Sequence, residues 1–207
     1  MIEVKNISLV LNKRQILNNV SLTLKEGNIY GLVGNNGSGK TMLMKCMCGF
    51  IRPTEGTVKS NGKVIGRDVD YLPDAGVIIE TPGFIPYYSG FQNLKVLAGI
   101  KNKISAKEIR EAIQTVGLDP DLKLPVKKYS LGMRQRLGLA QAIMENPSVL
   151  ILDEPMNGLD KNGVEEIRKL LLFMKDERKI IVIASHNAED IRVLCDEVHE
   201  MEQGELI

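Results

Sequence analysis

The 207-residue chain is 43% hydrophobic and 26% charged, a globular composition that excludes disorder and suffices to bury the core of one domain. Its formal net charge of +1 excludes the concentrated basic surface that binding to a phosphate backbone needs, so no nucleic-acid partner is expected. Three cysteines, Cys46, Cys48 and Cys195, lack both C-x-x-C and Cys/His spacing, which speaks against a disulfide framework or zinc site and makes them buried reduced thiols.

The opening Met1-Ile-Glu-Val-Lys-Asn is broken by charge, unlike a signal peptide. Two antiparallel strands are predicted over Glu3–Leu11 and Gln15–Leu24, joined by a polar turn at Asn12-Lys13-Arg14. A strand over Asn28–Val33 runs into the glycine-rich stretch Gly34–Gly39, and a helix carrying Met42, Leu43, Met44 and Met47 follows until Gly49. Thr57–Gly66 reads as a hairpin around Asn61-Gly62, a type I′ turn signal. A helix is expected over Lys103–Val116, with Ser105 as N-cap, Glu108 completing a capping box and Gly117 as stop. Another should run from Leu131 to Glu145, ended by Asn146-Pro147. Val149–Leu152 and Ile180–Ala184 are apolar throughout, as strands covered on both faces are. Between them Val164, Ile167, Leu171 and Met174 recur at helical spacing and mark an amphipathic crossover helix. No apolar run approaches the ~20 residues that span a bilayer, so a soluble, intracellular chain without direct membrane insertion is expected. The fold expected is α/β, a P-loop NTPase (RecA-like) core with a parallel sheet, an N-terminal antiparallel β subdomain and an inserted α-helical subdomain. The core is placed at about residues 1–80 and 146–207, and the helical part at about 81–145.

Gly34-Asn35-Asn36-Gly37-Ser38-Gly39-Lys40-Thr41 fits G-x-x-x-x-G-K-[ST] completely, between a predicted strand and a predicted helix. Glycines let successive N–H groups converge on phosphate oxygens, and the helix N-terminus adds a favourable dipole. Lys40 brings a point charge to the β- and γ-phosphates, and the Thr41 hydroxyl helps hold Mg²⁺. Asn35, Asn36, Gly37, Ser38, Gly39, Lys40, Thr41 and Met42 are the nucleotide-binding residues expected here. Downstream, Val149-Leu150-Ile151-Leu152-Asp153-Glu154 delivers Asp153 to the carboxyl edge of a buried sheet, where it can reach the Mg²⁺ shell. Glu154 follows, placed to polarise an attacking water as general base. These motifs establish a P-loop NTPase and nothing finer.

At Tyr129-Ser130-Leu131-Gly132-Met133-Arg134-Gln135-Arg136 the chain resembles the ABC ATPase family, whose signature is L-S-G-G-Q-x-Q-R, and the resemblance covers nearly its whole length. Ser130 Oγ, the Gly132 N–H and the helix N-terminus make a further anion site, and Ser130 is also a plain N-cap. The resemblance implies that the signature of one subunit closes over the P-loop of another, giving a two-fold head-to-tail dimer around two ATP, of this chain with itself or with a paralogue. It further implies that Asn157-Gly158-Leu159-Asp160 crosses the dimer interface and that His186 contacts the γ-phosphate as a catalytic residue beside Lys40 and Glu154. His199 matches no motif. The implied cofactors are ATP and Mg²⁺. The implied partner is an integral membrane permease, which holds the chain at the inner face of the cell membrane.

Two positions depart from the family's pattern. Leu11 stands where an aromatic residue stacks on adenine and offers apolar contact without a π-face. Glu80, in Val77-Ile78-Ile79-Glu80-Thr81-Pro82, stands where a glutamine approaches Mg²⁺, and its carboxylate is a stronger oxygen ligand. Glu80 and the S-L-G-M form of the signature resemble the bacitracin and lantibiotic branch of antimicrobial-peptide exporters. After Glu80 four aromatics cluster, Phe84, Tyr87, Tyr88 and Phe91. They suit either packing within the helical insertion or a groove for a helix of the membrane subunit, with Tyr87 and Tyr88 as contacts. Repair proteins of the family insert a long coiled coil between P-loop and signature, and ribosomal members carry two cassettes; neither pattern occurs here. A regulator that no longer hydrolyses is disfavoured by the intact Lys40, Asp153, Glu154 and His186.

Overall fold

The computed structural model describes residues 1–207. Strands β1 (Ile2–Leu11) and β2 (Arg14–Leu24) form an antiparallel hairpin. Asn12 and Lys13 both take the left-handed backbone, at φ 49° and 64°, the twist that suits a two-residue hairpin loop. Strand β3 (Asn28–Val33) leads through the glycine-rich loop into helix α1 (Lys40–Cys48). Strands β4 (Glu55–Ser60) and β5 (Lys63–Val64) flank Asn61 and Gly62, whose φ of 48° and 81° make the expected type I′ turn. These four outer strands form one antiparallel sheet in the order β2-β1-β4-β5.

Strand β6 (Ala75–Ile78) precedes three helices, α2 (Gly90–Lys101), α3 (Ala106–Thr115) and α4 (Leu131–Ile143), with a 3₁₀ turn at Val126–Lys128. Then come β7 (Val149–Asp153), α5 (Lys161–Asp176), β8 (Ile180–Ala184), α6 (Ala188–Leu194), β9 (Glu197–Glu202) and β10 (Glu205–Leu206). The second sheet has the order β10-β9-β3-β8-β7-β6, with every neighbour parallel except the terminal β10. Helix α3 keeps the predicted cap: Ser105 Oγ accepts from the Glu108 N–H, and the Glu108 carboxylate accepts from the Ser105 N–H. It starts at Ala106 rather than Lys103, because the N-cap residue itself lies outside the helix. Helix α4 stops two residues short of Glu145, and α2 lies within the expected helical part, where the sequence marks no bounds for it.

The apolar strands are covered on both faces. Leu150, Leu152, Ile181 and Ile183 pack with the helices, while Val149, Ile151, Ile180 and Val182 pack with α1 and the outer sheet. Each such side chain contributes about 1.5–3 kcal/mol on burial. At Gly76 a Cβ would stand 1.9 Å from the Ala142 carbonyl oxygen, so α4 lies directly on the edge strand β6. No helix is long and apolar enough to cross a membrane.

Candidate active site at the carboxyl edge of the parallel sheet

The loop after β3 is pinned by its surroundings. Gly34 adopts φ 139°, and a Cβ there would stand 2.2 Å from the Met201 carbonyl oxygen. Gly39 adopts φ 109°, and a Cβ there would stand 2.9 Å from Leu17 Cδ2. Only glycine fits both backbone and space. The N–H groups of Gly39, Lys40 and Thr41 find no acceptor within the chain, and they sit at the positive end of α1. Ser38 Oγ is buried and without a partner. Such orphaned donors around a tight loop fit a bound phosphate group. Lys40 Nζ folds over the loop and donates to the carbonyl oxygens of Gly34 (2.7 Å) and Asn35 (3.1 Å).

Asp153 ends β7, and its Oδ2 accepts from Thr41 Oγ1 at 2.8 Å. No group of three or more His, Cys, Asp or Glu side chains is gathered for a metal. The Thr41–Asp153 pair instead fits magnesium, which takes one or two protein groups and completes its octahedron with phosphate oxygens and water. A cleft of about 630 Å³ joins the loop residues Asn36 to Met42 with Glu80, Asp153, Glu154 and Asn157, and Leu131, Arg134 and Gln135 of α4 are part of its wall.

Glu154 is fixed from several sides. Its backbone is left-handed at φ 50°, and its N–H donates to the Ala184 carbonyl at the end of β8. Oε1 accepts from the His186 N–H at 3.0 Å, and Oε2 lies 2.9 Å from His186 Nδ1. Gln135 Nε2, on α4, donates to the carbonyls of Glu154 and Pro155, each at 3.0 Å. A non-glycine residue held in this conformation costs about 1 kcal/mol or more and persists only where its surroundings impose it. The carboxylate is thereby held against His186, while Glu154 lines the cleft. Single-sequence reading assigned no separate role to Gln135, whose link to the acidic strand is a tertiary contact.

The other expected site residues lie partly in the cleft wall and partly outside it. Glu80 lines the cleft, but its carboxylate pairs with Lys45 Nζ at 2.6 Å rather than meeting Thr41 and Asp153. Leu11 lies outside the cleft, and Arg14 and Ile16 take the wall beside the loop. Asn35 faces a second hollow shared with Ser185 and His186. Ser130 and Gly132 also lie outside the cleft; Ser130 Oγ accepts from the Met133 N–H at 3.1 Å, while the N–H groups of Leu131 and Gly132 find no acceptor in the chain. A Cβ on Gly132 would stand 2.8 Å from the Gly158 carbonyl oxygen, so α4 begins against the Asn157–Asp160 turn. His199 stacks on Tyr30 at 6.1 Å between ring centroids, away from these groups.

A family model described as ABC transporter matches residues 17–157. The ABC transporter ATP-binding protein YybJ of Bacillus subtilis is 45% identical, covering 100% of this chain and 94% of its own. The bacitracin transport ATP-binding protein BcrA of Enterococcus faecalis is 40% identical over 100% of this chain and 68% of its own. The lantibiotic transport ATP-binding protein SrtF of Streptococcus pyogenes is 37% identical over 100% and 89%. Among solved structures, the dimeric post-hydrolysis state of the ATP-binding cassette MJ0796 bound to ADP and Pi superposes with a TM-score of 0.88 at 22% identity, covering 100% of this chain and 96% of that one. A phosphate loop, an acidic strand end and a signature helix in one fold, with relatives that match the whole of this chain, leave one conclusion: the chain belongs to the ABC transporter family, as one of its ATP-hydrolysing, ATP-binding subunits.

Proposed function

We propose that two copies of this cassette, or this chain and a paralogue, close head to tail on two MgATP and drive a separate membrane permease that exports a peptide antibiotic or another hydrophobic substrate. The observation that carries the reading is the placement of Ser130 and Gly132. The signature helix has unpaired N–H donors at its N-terminus, a second anion site; Leu131, Arg134 and Gln135 reach the wall of the chain's own cleft, but Ser130 and Gly132 do not. In this reading the γ-phosphate at that site is presented by another subunit. The dimeric form of MJ0796 supports the arrangement. The transport functions named for BcrA and SrtF support the substrate class.

In this reading Thr41 and Asp153 hold Mg²⁺, and Lys40 and the loop N–H groups bind the β- and γ-phosphates. ATP brings the scissile phosphoanhydride and Mg²⁺ neutralises its charge. Glu154 takes the proton of the attacking water, and His186 fixes the carboxylate while facing the γ-phosphate. The helical residues 81–145 form a unit that moves against the nucleotide core. Tyr87 and Tyr88 contact the permease, which holds the chain at the inner face of the cell membrane.

Glu154→Gln tests the assignment. It should bind MgATP, lose about 10²- to 10³-fold in turnover, and accumulate as a dimer in size-exclusion chromatography with ATP. Adding Ser130→Arg should abolish that dimer while ATP binding persists. Turnover close to wild type in Glu154→Gln, or an ATP-bound monomer, would remove the reading.

A further inference from the structure

Nothing in the nucleotide chemistry accounts for Lys45. It lies on α1 one turn beyond Thr41, about 6 Å along the helix axis, and its side chain is absent from the cleft wall. Its side chain is 19% exposed, and its ammonium has a single acceptor in the chain, Glu80 Oε1 at 2.6 Å. Glu80, by contrast, is 63% exposed. Its backbone sits at φ 61°, a conformation that disfavours residues with a Cβ. The carboxylate thus has the Lys45 ammonium as its partner and shares a cleft with Thr41 and Asp153, the pair that marks the metal position.

We propose that Lys45 is a positioning residue for Glu80: it holds the carboxylate away from the metal position and so sets the Mg²⁺ concentration at which the cleft takes up nucleotide. The inference rests on the reading of Thr41 and Asp153 as the metal-side pair. An amide in place of Glu80 carries no charge and needs no counter-ion. A carboxylate beside Asp153 puts two negative groups near one divalent ion, which binds it more tightly and holds it longer. Lys45 offsets that by offering Glu80 a second cation, so that binding of Mg²⁺ and pairing with Lys45 compete. The pair is partly exposed and its worth is correspondingly modest, a few-fold in affinity rather than orders of magnitude.

The test is the binding of a fluorescent ADP analogue to the intact protein, titrated with Mg²⁺ at fixed nucleotide. Lys45→Met should reach half-saturation at about three- to fivefold less Mg²⁺ than wild type, and Lys45→Arg should stay near wild type. Glu80→Gln should need more Mg²⁺, and adding Lys45→Met to it should change nothing further, because the carboxylate through which Lys45 acts is gone. An unchanged midpoint in Lys45→Met overturns the proposal. So does the same shift in the Glu80→Gln background, which would reduce Lys45 to a bulk charge effect. If Lys45→Met does not fold, Lys45→Gln carries the same comparison. Asp153→Asn separates the two layers: should it leave the Mg²⁺ dependence of binding untouched, the metal-side reading itself fails and takes this proposal with it.

Discussion

At the scale of single residues the phosphate loop is limited by space as much as by chemistry. Gly34 and Gly37 both lie at positive φ, but only Gly34 faces a wall, the Met201 carbonyl oxygen at 2.2 Å from a built Cβ; around Gly37 nothing lies within 4 Å. Gly34→Ala must push the loop off β9, so stability should fall by about 2–4 kcal/mol and ATP affinity by more than tenfold. Gly37→Ala carries only the left-handed penalty, about 1–2 kcal/mol. Urea unfolding and calorimetric titration with MgATP check both; equal effects would mean that the Met201 wall does not limit the loop. Features that depend on near neighbours in sequence are legible there: the glycine-rich loop between β3 and α1, and the end of β7 at Asp153. Of the cysteines expected to be buried, Cys46 and Cys48 are, while Cys195 is half-buried because it caps the short helix α6. Cys46, Cys48 and Cys195 are indeed free, and burial pushes their thiols up to about 11, 12 and 12. Chemistry made by folding was not legible. Lys45 meets Glu80, Gln135 meets Glu154, and Arg14 with Ile16 takes the wall expected of Leu11.

At the scale of elements, local signals worked where a motif or a strict period stood behind them. Ser105 with Glu108 and the apolar stripe Ile109, Ala112, Ile113 made α3 readable. Helix α2 opens on a glycine, buries only part of one side and exposes Val96 and Ile100, so it carries no clear period. Strand β9, Glu197-Val-His-Glu-Met-Glu, is half glutamate and is held by its partner β3 rather than by propensity. Asp196 anchors that pairing: its Oδ2 accepts from the Ile29 N–H at 2.8 Å, and its Oδ1 accepts from Lys175 on α5. Burial of the carboxyl opposes ionisation, but the Ile29 N–H and Lys175 together outweigh it and hold the group below the ordinary aspartate range. A folded-state pKa below the unfolded value of about 3.9 stabilises the fold above that value and ceases to do so as pH falls through the folded pKa. Asp196→Asn should thus lose about 1–3 kcal/mol at pH 7, with its urea midpoint approaching that of wild type as pH drops toward 3. A constant gap across that range would assign the loss to packing instead.

At the scale of the whole molecule, one set of exposed apolar residues, Tyr87, Tyr88, Val96 and Ile100, lies on and just before α2. The four clustered aromatics divide there: Phe84 and Phe91 pack against the helical core, whereas Tyr87 is 73% exposed with Lys127 Nζ 4.4 Å from its ring centroid, and Tyr88 is also exposed. Tyr88 continues into the open face of α2 through Gln92, Val96 and Ile100. Beside it a groove of about 450 Å³ runs between β6 and the C-terminal ends of α2 and α4, with Phe50, Pro82, Leu97 and Ile100 among its walls. An exposed aromatic contributes little to the stability of its own chain and much at an interface, where ring burial and a polar hydroxyl combine. Replacing both Tyr87 and Tyr88 by alanine should therefore shift the unfolding midpoint by no more than about 0.5 kcal/mol and leave MgATP affinity intact. On the proposed reading, in which the two tyrosines contact the permease, transport should nonetheless be abolished. Uptake or efflux in vesicles carrying the complete transporter, measured beside ATP binding by the same preparation, decides the matter. Undiminished transport would return the two tyrosines to ordinary surface, and a parallel loss of binding would place them in the cleft's own support.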